Sequence, residues 1–157
     1  MKKFLCLFLI VCCRVCLAEE RFSGNVLPRF MALNSDKVNA RVGPDITYPI
    51  KYVYKRKFMP VVVVNEYFGW YQVKDENDDL SWVWKNYLTS KKYVMTNRDN
   101  VFLYKKGKLT SKILAKVNKG VIFFAEKCDD NFCKVKMNYN NKEFKGYILE
   151  EDLYGID

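Results

Sequence analysis

The sequence predicts an all-β protein in which two tandem small barrels follow a cleaved signal peptide. The first eighteen residues are mostly apolar behind a positive start, which is typical of an export signal. No later segment shows the three-and-four apolar spacing of an amphipathic helix, and short β-branched and aromatic runs recur between turn residues instead. The order of these runs in the first half returns in the second half, which indicates a duplicated unit.

The N-terminal segment has the layout of a secretory signal peptide. Lys2 and Lys3 form a positive start, residues 4–13 are all apolar, and residues 16–18 end in the small residues of a cleavage site. The alternative is a retained membrane anchor, but Arg14 interrupts the apolar run well before the roughly 20 residues that a span needs. We therefore expect secretion across the inner membrane, with the periplasm or cell envelope as the destination.

Composition excludes several classes of function. The chain has no histidine, which excludes Ser-His-Asp triads, Cys-His pairs and His-ligated zinc, so we expect no enzyme, no catalytic residue, no metal and no cofactor. Three of the 27 basic residues lie in the signal segment, which leaves 24 basic against 18 acidic side chains and a net charge of +6. An exported protein meets little nucleic acid. The positive charge instead allows electrostatic contact with an anionic wall or membrane surface.

Two cysteines remain once the signal segment is removed. Cys128 and Cys133 are an even pair in an exported chain, and an oxidising compartment favours a disulfide between them. Two packed reduced thiols are the alternative that the spacing also allows. Two sulfurs without a histidine make only half of a zinc site.

Short strands are predicted in order along the first half of the mature chain. They lie at residues 38–42, 51–54, 60–64, 70–74 and 81–84, and the polar cluster at 75–79 forms a turn. Alternation places Tyr71 and Val73 on one face and Trp70 and Gln72 on the other.

The second half repeats this order. Residues 99–101 correspond to 36–38, 120–124 to 60–64, 132–136 to 70–74, and 146–149 to 81–84. Three extra residues in one hairpin turn explain the longer spacing in the second copy. We therefore divide the chain into a signal peptide at 1–18, an N-terminal extension at 19–30, a first barrel at 31–91 and a second barrel at 94–157.

The residues of the first copy resemble the bacterial SH3 domain family. The resemblance rests on Asn39-Ala-Arg41-Val-Gly43-Pro44, then Trp70-x-x-Val73, Trp82-Val83 and Tyr87-Leu88. More narrowly, the chain is similar to the exported tandem type of alphaproteobacteria, and the resemblance covers about residues 28–157. It implies two tandem SH3-like small barrels. The second copy departs from the pattern at Phe132, where tryptophan is usual, and at residues 105–107, which replace Arg-x-Gly-Pro.

The resemblance also implies a ligand groove beside the loop at residues 43–57. The groove candidates are Arg41, Tyr48, Tyr54, Trp70 and Trp84. The alternative is that these aromatic rings pack the two barrels together. Because the second copy has lost the tryptophan and the Arg-x-Gly-Pro element, we expect its ligand role to be lost and its fold to be kept.

Two functions of different classes follow from this reading. The first is an exported non-enzymatic binding protein that recognises peptide or peptidoglycan ligands in the bacterial envelope. The second is a structural or accessory subunit of an envelope protein complex that has no small ligand. In both cases the partner is an envelope protein or a peptidoglycan peptide.

We predict that the mature chain begins at Glu19. Mass spectrometry of the N-terminal peptide of the protein recovered from the periplasm should show this residue first, because the apolar run and the small residues before it match a cleavage site. An intact Met1 terminus on protein recovered from the cytosol would contradict export.

Overall fold

The computed structural model describes Gly24 and residues 26–156, so the predicted signal peptide lies outside the described residues. Within this part the chain forms fourteen β-strands and two single 3-10 turns, at Lys85–Tyr87 and Glu150–Asp152. The all-β prediction is confirmed. No helix in the described part has the length and apolar character that a membrane span needs.

The first seven strands form one antiparallel sheet. They are β1 (Arg29–Leu33), β2 (Val38–Arg41), β3 (Ile50–Tyr54), β4 (Pro60–Tyr67), β5 (Trp70–Lys74), β6 (Leu80–Trp84) and β7 (Leu88–Thr89). Their order across the sheet is β3-β2-β6-β5-β4-β1-β7. The first strand begins inside the segment assigned from the sequence to an N-terminal extension.

The last seven strands form a second sheet with the same topology. They are β8 (Tyr93–Thr96), β9 (Val101–Tyr104), β10 (Ile113–Val117), β11 (Ile122–Asp129), β12 (Phe132–Tyr139), β13 (Lys142–Leu149) and β14 (Leu153–Tyr154). Their order, β10-β9-β13-β12-β11-β8-β14, matches the first sheet strand by strand. The two sheets therefore stand in tandem as the sequence predicts.

Each sheet curls around its own apolar core. In the first sheet the edge strands β3 and β7 contribute Tyr54 and Leu88 to the same cluster as Val61, Val73 and Val83. Opposite edges can share one cluster only if the sheet bends round on itself, so the sheet is a small barrel. Burial of these side chains is the main source of stability, at about 25 cal/mol for each Å² of apolar surface removed from water. The second sheet encloses a corresponding cluster that includes Phe123, Val135 and Ile148.

The strand register corrects one part of the predicted repeat alignment. Val63 pairs with Val73, and Ala125 pairs with Val135, so Val63 corresponds to Ala125. The sequence comparison had matched Val63 to Phe123, two residues earlier. Side chains alternate with a period of two, so a shift of two residues keeps every side chain on its face and leaves the hydrophobic pattern unchanged. A register shift follows Val63 and Ala125 alike, so the two copies also share a β-bulge.

The disulfide prediction is confirmed, and it occupies a position that the first barrel uses differently. Cys128 and Cys133 are register partners on β11 and β12, and their sulfurs are bonded. The corresponding partners in the first barrel are Glu66 and Tyr71. There Arg29 forms a 2.8 Å ion pair with Glu66 and lies 5.3 Å from the ring centroid of Tyr71. The same pair of positions is thus held covalently in one copy and by a cation in the other.

The two barrels pack against each other. Met95 lies on β8 of the second sheet, yet it is fully buried in the apolar cluster of the first barrel. The guanidinium of Arg56 donates to the carbonyl oxygen of Gly120, and Lys119 lies 3.6 Å from Glu76. These contacts join the β3–β4 loop, the β5–β6 turn and the core of the first barrel to the β10–β11 turn and strand β8 of the second.

Removal of the disulfide should destabilise the second barrel. Replacing Cys128 and Cys133 by alanine should lower the free energy of unfolding by about 2 kcal/mol, because the unfolded chain regains the entropy that the closed loop removed. Reduction of the wild-type protein should give a similar loss, measured by circular dichroism in denaturant. Replacing Lys142 and Lys145, exposed on the same sheet, should change the free energy of unfolding by less than about 0.5 kcal/mol. An unchanged midpoint after reduction would contradict the prediction.

Candidate functional site

Three of the five predicted groove residues meet on the outside of the first barrel. Trp70 on β5 and Trp84 on β6 are register partners, and their ring centroids lie 5.5 Å apart with the planes at 66°. Arg41 on β2 pairs with Trp82, which lies two residues before Trp84 on β6. The Arg41 side chain therefore lines the same cleft as the two rings. The edge-to-face arrangement is a favoured geometry for aromatic pairs.

These residues line a cleft of about 500 Å³. The cleft walls come from the loop after β2, from the β4–β5 turn and from the 3-10 turn after β6. The lining residues are Asn39, Arg41, Asp45, Ile46, Phe68, Trp70, Trp84 and Tyr87. The sequence reasoning identified the two tryptophans and the arginine as groove residues but missed the other five. Ile46 and Phe68 are 73% and 53% exposed, and a large apolar residue in a turn was the signal that could have found them.

The β4–β5 turn positions the floor of the cleft. Phe68 and Gly69 have φ angles of 41° and 87°, which is the left-handed conformation that tight two-residue hairpins require. A Cβ atom on Gly69 would lie 2.8 Å from the ring of Trp84. Glycine therefore serves both the turn and the close approach of the indole.

The loop after β2 is braced by polar contacts. The Nη1 of Arg41 donates to the carbonyl oxygen of Tyr48 at 2.6 Å. The amide of Thr47 donates to Oδ1 of Asp45 at 2.8 Å. The hydrogen bonds from Thr47 lower the pKa of the Asp45 carboxyl, and the nearby Arg41 adds a smaller effect in the same direction. The cleft therefore carries a guanidinium and an ionised carboxylate side by side.

Tyr48 supports the loop and does not line the cleft. Its ring packs over Gly43, where an added Cβ would lie 2.6 Å from the ring atoms. The side chain remains 45% exposed. The Gly43-Pro44 element thus makes room for a tyrosine that shapes the loop from outside.

Tyr54 is a core residue, not a groove residue. The strand alternation of β3 turns it into the first barrel, where it is 8% exposed. Its hydroxyl donates to Asp75 at 3.3 Å and lies 3.0 Å from the hydroxyl of Tyr52. Burial, and then the hydrogen bond with Tyr52, raise the pKa of Tyr54. The carboxylate of Asp75 in turn accepts hydrogen bonds from the amides of Asn77 and Asp79, so Tyr54 helps to hold the β5–β6 turn.

The second barrel fills the corresponding space with its own side chains. Tyr104 stands where the first barrel has Arg41, because it pairs with Tyr147 as Arg41 pairs with Trp82. Its ring lies 5.8 Å from that of Phe132, and both residues are 7% exposed. The sequence alignment had placed Lys105 at the arginine position, one residue later.

One cluster has the composition of a metal site. Ligand atoms of Cys128, Cys133 and Glu150 lie within 4.8 Å of one another. The two sulfurs are joined in the disulfide and offer no thiolate, so the cluster has one anionic ligand.

The cleft lies within a segment that matches a known family. Residues 34–89 match the bacterial SH3 domain. All eight lining residues fall inside the matched segment. No curated protein sequence matches the chain.

Seven chains of solved structures are similar to the chain in fold. One is NlpC2 from Trichomonas vaginalis, with 19% identity and a TM-score of 0.36, where the match covers 81% of this chain and 48% of that one. Another is NlpC1 from Trichomonas vaginalis, with 20% identity and a TM-score of 0.37, covering 84% and 47%. The chain spans about half the length of each of these proteins.

Substitution of Gly69 should disturb the cleft directly. Gly69→Ala places a Cβ against Trp84 and a side chain at positive φ, so it should lower stability by roughly 1–2 kcal/mol and shift tryptophan emission. Gly69→Asn tolerates the φ angle but keeps the clash, and should shift the emission with a smaller loss of stability. Asn131→Ala is the matched control, because Asn131 has a φ angle of 66° at the equivalent position of the β11–β12 turn, and it should leave the emission unchanged. Unchanged emission in both Gly69 variants would show that the turn does not position the indole.

Proposed function

We propose that the first barrel is a non-enzymatic module that binds an extended peptide in this cleft, from peptidoglycan or from an envelope protein. The observation that carries the proposal is the edge-to-face pair of Trp70 and Trp84 in a cleft with Arg41 and Asp45. Flat aromatic rings supply contact area at a small entropy cost, and grooves lined by them suit extended ligands. The match to a bacterial SH3 domain supports a cell-wall or peptide ligand in general terms.

The charged groups of the cleft suit a ligand with polar ends. Within residues 26–156, Arg41 makes one hydrogen bond, to Tyr48, out of the five donors that a guanidinium carries. Thr47 donates to the carboxylate of Asp45 and lowers its pKa, which favours the ionised form. A peptide with a carboxylate and an amino group can therefore contact both residues while its side chains lie on the indoles. These contacts fix orientation, and the rings provide most of the affinity.

Compartment and chemistry agree with this proposal. The Cys128–Cys133 disulfide fits an oxidising compartment such as the periplasm. The absence of histidine from the sequence removes the general bases of the common hydrolytic triads, which supports a binding role in place of catalysis.

The contacts between the barrels lie away from the two tryptophans of the cleft. Among the described residues they join Arg56 to Gly120, Glu76 to Lys119, Phe58 to Tyr93 and Phe30 to Tyr154, and Met95 enters the core of the first barrel. The ring contact of Trp84 is with Trp70. This distribution favours a ligand groove over interdomain packing, while an accessory subunit would use the same cleft for a partner protein.

Substitution of Trp84 tests the proposal. Trp84→Ala should weaken binding of purified muropeptides or envelope peptides by about 1–3 kcal/mol, as loss of an aromatic anchor does. Isothermal titration measures the loss, and thermal unfolding checks that the half-buried side chain is not needed for folding. Trp70→Ala should lower both affinity and stability because Trp70 is 8% exposed.

The matched control is Leu149→Ala, since Leu149 pairs with Phe132 as Trp84 pairs with Trp70. It should lower stability and leave affinity unchanged. If wild-type protein is not retained by sacculi and binds no envelope peptide, the groove proposal is wrong. If Trp84→Ala lowers the melting temperature while retention stays the same, the tryptophan is structural.

A further inference from the structure

A second open surface lies where the two barrels meet. We call it the junction patch, a cleft of about 660 Å³ with aromatic walls and a basic rim. It is defined by Tyr93, Phe124 and Lys136 of the second sheet, Lys57 and Phe58 of the β3–β4 loop, and Lys91 between the barrels. It is separate from the cleft of Trp70 and Trp84.

The first barrel has the same surface, and there it is covered. The register gives matching rows of residues across three neighbouring strands. The row Phe30–Val62–Lys74 across β1, β4 and β5 corresponds to the row Tyr93–Phe124–Lys136 across β8, β11 and β12.

Tyr154 from β14 is seated on the row of the first barrel. Its ring centroid lies 5.3 Å from that of Phe30 with the planes at 90°, and its hydroxyl donates to the carbonyl oxygen of Lys74 at 3.4 Å. Burial raises the pKa of Tyr154 to about 12, and the carboxylates of the β5–β6 turn add to this shift. An aromatic side chain therefore fills this surface in one copy.

A second copy of this chain does not offer a matching side chain for the junction patch. Within one molecule, Tyr154 pairs with Met95 in the second barrel. The corresponding pair in the first barrel is Thr89 with Ala32, so Thr89 stands at the position of Tyr154. Threonine at that position cannot provide the ring, and Tyr154 of any copy is already seated on its own first barrel. Neither of these residues in a second copy can therefore repeat the contact of Tyr154 with Phe30, and we take the occupant to be a segment of another protein.

Phe58 adds an aromatic ring to the patch from a strained backbone position. Its φ is 64°, and the corresponding residue of the second barrel is Gly120, with φ 84°. The correspondence rests on equivalent hydrogen bonds, from Phe58 to the Leu33 carbonyl at 2.7 Å and from Gly120 to the Thr96 carbonyl at 2.8 Å. A non-glycine residue is strained in this left-handed conformation. The ring of Phe58 stacks on the ring of Tyr93, with the centroids 4.2 Å apart and the planes at 7°.

The rim of the patch carries excess positive charge. Lys57 lies 5.2 Å from the ring centroid of Phe58, and Lys136 lies 5.4 Å from that of Phe124. Lys136 also pairs with Glu126 at 2.8 Å, and Glu143 is the acidic residue that lines the cleft. Within residues 26–156, Lys57 and Lys91 have no carboxylate partner. The patch therefore offers ammonium groups around an aromatic floor.

We propose that the junction patch binds an acidic peptide segment of a partner protein, which inserts one aromatic side chain as Tyr154 does on the first barrel. Carboxylates of the segment pair with Lys57 and Lys91, and the aromatic ring packs on Phe124 beside the stacked rings of Phe58 and Tyr93. Tyr154 on the first barrel is the template for the aromatic ring, and the acidic character of the segment follows from the unpaired lysines of the rim. A concave cleft with an apolar floor suits such a segment better than a flat membrane surface.

The test uses the peptide Glu-Glu-Asp-Leu-Tyr-Gly with blocked ends and a fluorescent label, titrated with the mature protein and followed by anisotropy. Saturable binding is expected. Two comparison peptides separate the contributions, one with glutamine and asparagine in place of the acids, and one with alanine in place of tyrosine. Each should bind at least roughly fivefold more weakly, because it lacks either the charge or the ring.

Protein variants locate the site. Lys57→Ala with Lys91→Ala should weaken binding roughly five- to tenfold, in line with the loss of two exposed ion pairs. Phe58→Gly should weaken binding and keep the fold, because glycine accepts the φ angle. Lys108→Ala with Lys112→Ala removes the same charge from the β9–β10 loop and should have no effect.

Several results would overturn the proposal. The proposal is wrong if the peptide shows no saturable binding at about 1 mM, or if the neutral or alanine peptide binds as tightly as the original. It is also wrong if the Lys108 and Lys112 variant loses as much affinity as the Lys57 and Lys91 variant. Binding to phosphatidylcholine–phosphatidylglycerol vesicles that requires Lys57 and Lys91, with no displacement by the peptide, would assign the patch to a membrane. Loss of peptide binding in Trp84→Ala would place the peptide in the first-barrel cleft.

Discussion

The burial of one face of strands β4, β5 and β6 is the constraint on which the rest of the structure depends. Val63, Val73 and Val83 are fully buried, so a slip of one residue in any of these strands would turn the valine of that strand to solvent. Once the valines are fixed inward, Trp70 and Trp84 are fixed outward as register partners. The loop after β2 then closes over the two rings, because Arg41 pairs beside them and holds the carbonyl of Tyr48. The cleft is thus a consequence of the core.

Duplication gives the chain two copies of one backbone plan with different chemistry at equivalent positions. Cys128 and Cys133 stand where the first barrel has Glu66 and Tyr71, which Arg29 bridges. The covalent link does not depend on desolvating a charge, whereas the Arg29–Glu66 pair places a carboxylate with a 5% exposed side chain beside its partner. The left-handed position before β4 and β11 also differs between the copies, since it is Phe58 in the first barrel and Gly120 in the second. At the groove position, the first barrel keeps an open cleft beside Trp70 and Trp84, whereas the second barrel fills it with Tyr104 and Phe132.

Much of this could be predicted from the sequence, and the failures have physical reasons. Alternation of valines revealed the sheets and the outward tryptophans, while spacing revealed the cross-strand cysteines. The prediction that Tyr54 lines the groove was wrong, because an aromatic residue at the end of a strand gives the same sequence pattern whether its side chain faces the core or the groove. The repeat alignment slipped by two residues because the pattern has a period of two. The junction patch could not be predicted, because it forms where Phe58 of the first barrel stacks on Tyr93 of the second, and the sequence pattern does not show how the two barrels pack.

The central claim is that the ligand of this protein lies on the indoles of the first barrel. The most direct measurement is amide and indole chemical-shift mapping of the isotope-labelled mature protein during titration with soluble peptidoglycan fragments. The account predicts shifts at the cleft residues Arg41, Ile46, Phe68, Trp70 and Trp84, with the second-barrel counterparts of that cleft unchanged. Shifts of equal size at Tyr104 and Phe132, or no shifts in the first-barrel cleft at saturating ligand, would contradict it.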